Sequence, residues 1–192
     1  MVIAILFIIP LSIRLLSGDN RKKEVAILNH KKAEGLYTKS DNLCTDVPEG
    51  DNIALFLIFG QMKRDKILSD SIDMDTYRKE ASKIVKDAPN SVNYVYEGYR
   101  YTSEGNIITR SKVECSDKSY VSKLYGYSME EDKLYLTINS GYVSNNIVYD
   151  LEGNEIGEYN KENINTTLDK GSMKSYTYLK SGDGYIFEEV KD

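Results

Sequence analysis

Two cysteines are the residues of this sequence whose chemistry is easiest to foresee. Cys44 and Cys115 are the only cysteines in the 192-residue chain. In an oxidising compartment they form one disulfide, which chain-entropy arguments value at roughly 4 kcal/mol. In a reducing compartment they remain two buried thiols, and the sequence leaves both alternatives open. His30 is the only histidine, so the four ligands of a structural zinc site are lacking and no metal is predicted.

Tyrosine is the second residue type whose pattern suggests binding. The chain has 16 tyrosines, four phenylalanines and no tryptophan. Tyr-x-Tyr pairs are typical of half-buried strands, where the ring packs and the hydroxyl stays hydrated. Glycines within strands often mark bulges or the close approach of another backbone or a ligand. If the domain has a groove, we expect it beside Tyr125, Gly126, Tyr127, Gly141 and Tyr142.

Enzymatic chemistry has little support in the sequence. His30 lies outside the predicted globular part, so a serine or cysteine nucleophile has no base nearby. No phosphate-binding loop, dinucleotide fingerprint or His-Glu-x-x-His pattern occurs. Asp70, Asp73 and Asp75 lack the pattern of a calcium loop, whereas aspartate is a common helix cap. We therefore predict a non-enzymatic protein without a cofactor.

The N-terminus is an uncharged run rich in Ile and Leu, from Met1 to Ile13. It is shorter than the roughly 20 apolar residues that span a bilayer, and no basic residue precedes it. An uncleaved anchor whose start is incomplete is favoured over a signal peptide, since no small-x-small cleavage site follows. The alternative is a buried N-terminal element of a soluble protein. We predict an anchor or signal-like segment at residues 1–18, a basic juxtamembrane linker at 19–40 and one globular domain at 41–192.

Charge bears on location and partners. Basic residues follow the apolar run, and the positive-inside rule taken alone would keep the domain in the cytoplasm. The acidic, tyrosine-rich remainder and the two cysteines favour the extracytoplasmic side instead, and an acidic body argues against nucleic acid. We predict a single-pass protein of the cell membrane that contacts the bilayer through its N-terminal segment and meets an unidentified protein or envelope partner. The abundance of Lys, Asn, Ile and Tyr is typical of low-GC bacterial genomes.

The order of apolar runs and turn residues predicts an α+β fold. Residues 53–59 form a continuous apolar run that favours a core strand over a short buried helix. Residues 73–87 predict the clearest helix, with an acidic first turn. Turn signals at 103–106, 130–133, 152–154 and 181–184 separate the predicted strands. These strands are 92–101, 107–115, 120–127, 134–139, 147–150, 175–179 and 185–190.

Two fold arrangements and two functions fit these elements. A mainly antiparallel sheet covers one amphipathic helix, either as a cystatin- or NTF2-like curved sheet or as an open sandwich or barrel. The leading function is a membrane-tethered, extracytoplasmic, non-enzymatic binding or envelope-associated domain. The alternative is a small-molecule-binding or catalytic domain with a tyrosine-lined pocket between helix 73–87 and the sheet.

Overall fold

The computed structural model of the protein describes residues 23–37, 44–115 and 117–191. The chain divides into two compact units, Met1–Gly35 and Leu36–Asp192. Each unit is described by itself.

Residues 23–36 are helical and are called α1. The sequence predicts a basic linker or the first solvent-exposed turns of a helix over this stretch, and the good helix formers Ala, Leu, Lys and Glu explain why it is helical. The predicted anchor at residues 1–18 lies outside the described residues. No helix within the described ranges is long and apolar enough to cross a bilayer.

The unit Leu36–Asp192 holds three further helices and ten strands among its described residues. The helices are α2 (Asn52–Arg64), α3 (Met74–Ala81) and α4 (Ile164–Thr167), which continues into a 3-10 turn (Leu168–Lys170). The strands are β1 (Ser71–Asp73), β2 (Asn93–Tyr96), β3 (Tyr99–Glu104), β4 (Ile107–Lys112), β5 (Ser119–Glu130), β6 (Lys133–Ser144), β7 (Ile147–Tyr149), β8 (Glu155–Glu158), β9 (Ser172–Ser181) and β10 (Gly184–Lys191).

Four strands form one antiparallel sheet in the order β1-β4-β3-β2, which we call the four-stranded sheet. A two-residue turn at Glu97 and Gly98 joins β2 to β3. Both residues have positive φ, 48° and 81°, as a type I′ hairpin turn requires. The single strand predicted over 92–101 is therefore wrong, because the usual Asn-Gly or Asp-Gly signal is replaced by Glu-Gly.

The remaining strands form the six-stranded sheet around β6. One edge of β6 pairs with β5 in a long hairpin. The other edge pairs with β9 up to Ser140 and with β7 from Tyr142 onward, so its partner changes at Gly141. A Cβ atom at Gly141 would lie 2.2 Å from the carbonyl oxygen of Tyr149, which explains why this position needs glycine. β10 extends the sheet beyond β9, and β8 extends it beyond β7.

Helix α2 forms the centre of the core. The ring of Phe59 lies 4.6 Å from that of Tyr101 in the four-stranded sheet. The ring of Phe56 lies 5.1 Å from that of Tyr120 in the six-stranded sheet. The core strand predicted over 53–59 is wrong, because a helix that is buried on several sides also reads as a continuous apolar run. The buried residues of α2 are Ile53, Leu55, Phe56, Leu57, Ile58, Phe59, Gly60 and Met62.

Helix α3 confirms the predicted helix at its start but not at its end. The Oδ1 atom of Asp73 accepts a hydrogen bond of 2.8 Å from the amide of Thr76, which makes Asp73 the expected N-cap. The helix ends at Ala81 rather than at residue 87. After it, Val85 forms a parallel bridge with Phe187 of β10. This pairing with the sheet competes successfully with further helix formation.

The predicted α+β class with mostly antiparallel sheets is confirmed. The four predicted turns all join strands of the structure, between β3 and β4, β5 and β6, β7 and β8, and β9 and β10. Two features differ from the predicted single curved sheet on one helix: the strands form two sheets, and both α2 and α3 pack against them. The short elements β1, β8 and α4 were too brief for periodicity to reveal.

Candidate functional site

A short stretch at residues 44–46, which we call the connecting segment, joins the two sheets. The amide of Asp46 donates a 3.0 Å hydrogen bond to the carbonyl of Val95 in the four-stranded sheet. The amide of Tyr120 in the six-stranded sheet donates one of 2.8 Å to the carbonyl of Thr45. Further donors to the segment are the amides of Val95, Glu97 and Gly98 and the hydroxyl of Tyr94.

The connecting segment begins at a disulfide. Cys44 and Cys115 are joined, and their Cα atoms are 4.5 Å apart, within the range of protein disulfides. Cys44 is buried, whereas Cys115 is exposed. The amide of Cys44 also donates a 2.8 Å hydrogen bond to the Oγ of Ser119. The bridge therefore fixes the connecting segment to the loop that precedes β5, and its oxidation state in the cell stays a prediction.

The five predicted groove residues fall at two separate places on the β5–β6 hairpin. Tyr125 is 61% exposed and is the extra residue of a β-bulge before Gly126, as the glycine suggested. Tyr127 pairs with Leu136, six residues before Tyr142 on β6. Tyr142 is buried and stacks on Tyr149 at 5.2 Å. Gly141 meets the backbone of Tyr149 rather than a ligand. The structure therefore places the five residues at two separate stretches of this hairpin.

A cleft of about 190 Å³ lies between α2, the end of α3 and the β9–β10 hairpin, and we call it the helix cleft. The Nη2 of Arg64 donates a 2.7 Å hydrogen bond to the Oε1 of Gln61 at its wall. Lys83 and Glu80 form an ion pair of 2.7 Å at its rim. The buried residues Tyr178 and Tyr185 supply aromatic surface. The tyrosine-lined pocket that the sequence predicts between helix 73–87 and the sheet stays a prediction.

A second cleft, of about 280 Å³, lies between the end of α2 and the β2–β3 hairpin, and we call it the hairpin cleft. The Nζ of Lys63 pairs with the carboxylate of Glu97 at 2.6 Å. The guanidinium of Arg110 lies 4.4 Å from the centre of the Tyr99 ring. Burial raises the pKa of Tyr101, and a hydrogen bond from Arg110 opposes that rise. The remaining wall residues are Lys66, Leu68 and Tyr96.

Local sequence does not mark the residues of the hairpin cleft as a site. The charged run that ends α2, from Lys63 to Lys66, is a usual surface feature by itself. Arg110 lies in a strand more than 40 positions away, so only the tertiary fold brings it to Lys66. Gly98 after Glu97 is the one local hint of a turn at this cleft, and it lacks the Asn or Asp that usually precedes glycine in a hairpin turn.

Many tyrosines build the core rather than wet sheet faces. Tyr94 donates a 2.7 Å hydrogen bond to the carbonyl of Asp46, and Tyr77 one of 3.2 Å to that of Pro89. Burial raises the pKa of Tyr77 to about 12. Burial also raises the pKa of Tyr120, against hydrogen bonds with Ser140, Ser122 and Tyr176 that lower it. These hydroxyls are bound within the protein, which corrects the expectation that they are hydrated.

The interior between α2 and the six-stranded sheet is almost filled. A cavity of about 10 Å³ remains there, close to the minimum that one water molecule needs. On the opposite face of β6, Asn139 is fully buried although strand alternation predicts an outward side chain. Neither its Oδ1 nor its Nδ2 has a hydrogen-bond partner among the described residues. Neither place offers room for a sizeable ligand.

The three aspartates near α3 have structural roles. Asp73 caps α3, as expected. Asp70 pairs with Arg110 at 2.7 Å, and Asp75 pairs with Arg78 at 3.1 Å. Within the described residues no group of three or more His, Cys, Asp or Glu side chains is arranged to hold a metal ion.

No protein-family model, no curated protein and no solved structure matches this chain, so its function is argued from the geometry above.

Proposed function

We propose that the chain is a non-enzymatic binding domain that acts outside the cytoplasm and is held at a cell membrane by residues 1–18. The observation that carries the proposal is that Cys44 and Cys115 lie at disulfide distance, with their Cα atoms 4.5 Å apart. Disulfide bonds persist in oxidising compartments and are rare in the cytosol. The bridge belongs to the fold, because Cys44 begins the segment that bonds to both sheets. The apolar run at the N-terminus supports a membrane helix as the tether.

The redox state of the two cysteines in native cells tests this placement. Cells are quenched with acid, free thiols are alkylated, and the intact mass of the full chain is measured. We expect no alkylation unless the sample is first reduced, when two adducts should appear. Two free thiols in the unreduced sample would contradict the extracytoplasmic placement.

A second measurement addresses the tether. Protease added to protoplasts should degrade the domain before any cytoplasmic marker protein is lost. If the protease degrades the domain only after the protoplasts are lysed, the domain faces the cytoplasm and the proposal is wrong. Recovery of the domain in the soluble fraction of broken cells would contradict the membrane anchor. The extracytoplasmic placement would then be decided by the thiol measurement alone.

The helix cleft favours a second candidate function, the binding of a small zwitterion. Arg64, Lys83, Asp65 and Glu80 all belong to its lining, so positive and negative groups are both present. Its volume of about 190 Å³ lies below the usual range for drug-sized ligands and suits a ligand the size of an amino acid. The ring of Tyr178 offers apolar surface beside them.

Titration calorimetry with free L-leucine tests the second candidate on the full chain in a non-ionic detergent. We expect binding that the substitution Arg64→Met weakens, because it removes one of the two cations of the lining. Arg78→Met is the matched control, since Arg78 pairs with Asp75 outside the cleft. Absence of heat at millimolar L-leucine, or equal binding by both variants, would remove this candidate.

A further inference from the structure

The hairpin cleft concentrates positive charge on a protein whose net charge is negative. The chain carries a formal charge of −5, yet Lys63, Lys66 and Arg110 line the cleft against Glu97 alone. Counting Asp70, which pairs with Arg110 from outside the lining, three cations still exceed two anions. A local excess of cations in a concave surface attracts anions from solution.

Lys66 is the cation of the cleft that the fold leaves available. Lys63 is paired with Glu97, and Arg110 is paired with Asp70. Lys66 forms no ion pair with any residue in the described part of the chain. Its ammonium group can therefore bind a ligand without first breaking an internal contact.

The backbone conformation of Lys66 is one that favours glycine, so we infer that the lysine side chain has a binding role. Lys66 has a φ of 59°, at the position after a helix where glycine is normally preferred. Its amide donates 3.0 Å to the carbonyl of Lys63, and the amide of Ile67 donates 2.8 Å to that of Met62. These two bonds already satisfy the end of α2, so the lysine ammonium is not needed there as a cap. Glycine would meet every requirement of this turn at less strain.

Glu97 repeats the pattern on the opposite wall of the cleft. Its φ is 48°, at a turn position where Asn, Asp or Gly is favoured. Its side chain is only 11% exposed. Both oxygens of its carboxylate accept hydrogen bonds of 2.6 Å from the Nζ of Lys63. Glu97 thereby fixes Lys63 in place. Two charged residues in unfavourable backbone conformations thus face one cleft.

Arg110 also has partners within the protein. Its Nε and Nη2 donate to Asp70 at 2.8 and 2.7 Å, and its guanidinium lies over the ring of Tyr99 at 4.4 Å. A cation held in advance loses little freedom when a ligand arrives. Cations at separate points of a wall suit an anion with several acceptor oxygens.

We propose that the hairpin cleft binds a phosphate group, with Lys66 as its main contact. A phosphate monoester carries about −1.5 to −2 charges and three terminal oxygens, which match separated donors better than a planar carboxylate does. The phosphate has two chemical sources: a free or terminal phosphate, or the phosphodiester of a lipid headgroup or polymer.

Two soluble probes separate these sources. Inorganic phosphate and glycerophosphoglycerol, a phosphodiester, are titrated into the full chain in non-ionic detergent at constant ionic strength. Binding of inorganic phosphate at millimolar concentration supports a free or terminal phosphate, and binding of the diester alone supports a headgroup or polymer. Binding of neither probe overturns the proposal.

The substitution Lys66→Gly gives the decisive comparison. We expect it to weaken binding of the bound probe about tenfold, the effect of losing one charged hydrogen bond. The same substitution should raise the midpoint of thermal unfolding by about 2 to 4 °C, because the backbone strain is relieved. Lys66→Arg should keep the affinity within about threefold, since its charge remains. Lys79→Met on α3, outside the cleft, should change neither quantity.

A merely structural role for Lys66 predicts a different outcome. Lys66→Gly would then bind the probe as tightly as the unaltered chain, or would lose binding only in proportion to a loss of folded protein. Either result overturns the proposal. The outcome is independent of the thiol measurement above, because a reduced or cytoplasmic protein could still bind phosphate in this cleft.

Discussion

Gly141 lies where β6 exchanges one strand partner for another, and no side chain fits there. An added Cβ would lie 2.2 Å from the carbonyl oxygen of Tyr149 and 3.3 Å from its carbon. We expect Gly141→Ala to lower the free energy of unfolding by about 1 to 3 kcal/mol, because the backbone of β7 must shift. Urea unfolding followed by circular dichroism measures this loss.

Gly126→Ala is the matched control for Gly141→Ala. Gly126 lies in the neighbouring strand of the same hairpin, but nothing stands within 4 Å of its added Cβ. We expect its free energy of unfolding to stay the same or rise by up to about 1 kcal/mol, since alanine restricts the unfolded chain. Equal losses of unfolding free energy in the two variants would show that the close contact between Gly141 and Tyr149 does not cause the destabilisation.

The buried tyrosines predict how the protein responds to alkali. Burial disfavours the charged phenolate and raises the pKa of Tyr77 from 10 to about 12. Because the pKa is raised in the folded state, neutral Tyr77 makes its full contribution to the free energy of unfolding below pH 10. That contribution is lost as the pH rises through about 12. The pKa is also raised by burial for Tyr94, Tyr101, Tyr120, Tyr176 and Tyr178.

A pH titration that follows phenolate absorbance and circular dichroism together tests this expectation. One set of tyrosines should ionise while the circular dichroism is unchanged, and the buried set should ionise only as the structure is lost. Smooth ionisation of every tyrosine with the fold intact would contradict the burial of their hydroxyls.

Among the elements, α2 contributes most to the core through Phe59. Its side chain is fully buried, with ring centres of Tyr101, Tyr96 and Tyr94 at 4.6, 6.2 and 6.4 Å. We expect Phe59→Ala to lower the free energy of unfolding by about 3 to 5 kcal/mol, the usual range for a buried phenylalanine. Tyr125→Ala, at a position 61% exposed, should change it by less than about 0.5 kcal/mol.

Denaturant unfolding of both variants distinguishes a core helix from a peripheral one. A loss below about 1 kcal/mol for Phe59→Ala would mean that the contact between α2 and the four-stranded sheet is not formed. Similar losses for both variants would point to a general sensitivity of the protein rather than to this contact.

The elements that the sequence predicts correctly are those with a strong local signal. The side chain of Asp73 caps α3 by accepting a hydrogen bond from the amide of Thr76, three residues later. Turns that contain glycine join the strands of the β3–β4 and β9–β10 hairpins. The α2 helix was predicted as a strand, because the surroundings that bury it on several sides come from distant residues. The hairpin cleft has the same origin, since Lys66 and Arg110 meet only in the fold.

At the scale of the whole molecule, the disulfide holds the connecting segment between the two sheets. It joins residues 71 positions apart, so its removal frees a long loop in the unfolded chain. We expect replacement of both Cys44 and Cys115 by alanine to lower the free energy of unfolding by about 4 kcal/mol. Chemical denaturation of the oxidised protein and of the variant measures the difference.

A reductant provides the control for this prediction. It should lower the stability of the unaltered protein to about that of the double variant and leave the variant itself unchanged. A difference below about 1 kcal/mol would mean that the connecting segment is held mainly by its hydrogen bonds. A loss well above the expected value would mean that the two sheets no longer dock once the bridge is gone.

The position of the bridge also decides how the protein would lengthen if pulled from its two ends. Tension entering at Cys44 passes through the sulfur atoms to Cys115 and continues into β5. Helices α2 and α3 and the whole four-stranded sheet lie inside the closed loop and carry none of it. Reduction would allow the segment between the two cysteines, a separation of 71 residues, to extend to roughly 240 Å. The Cys44–Cys115 bond therefore sets how far the chain extends under force.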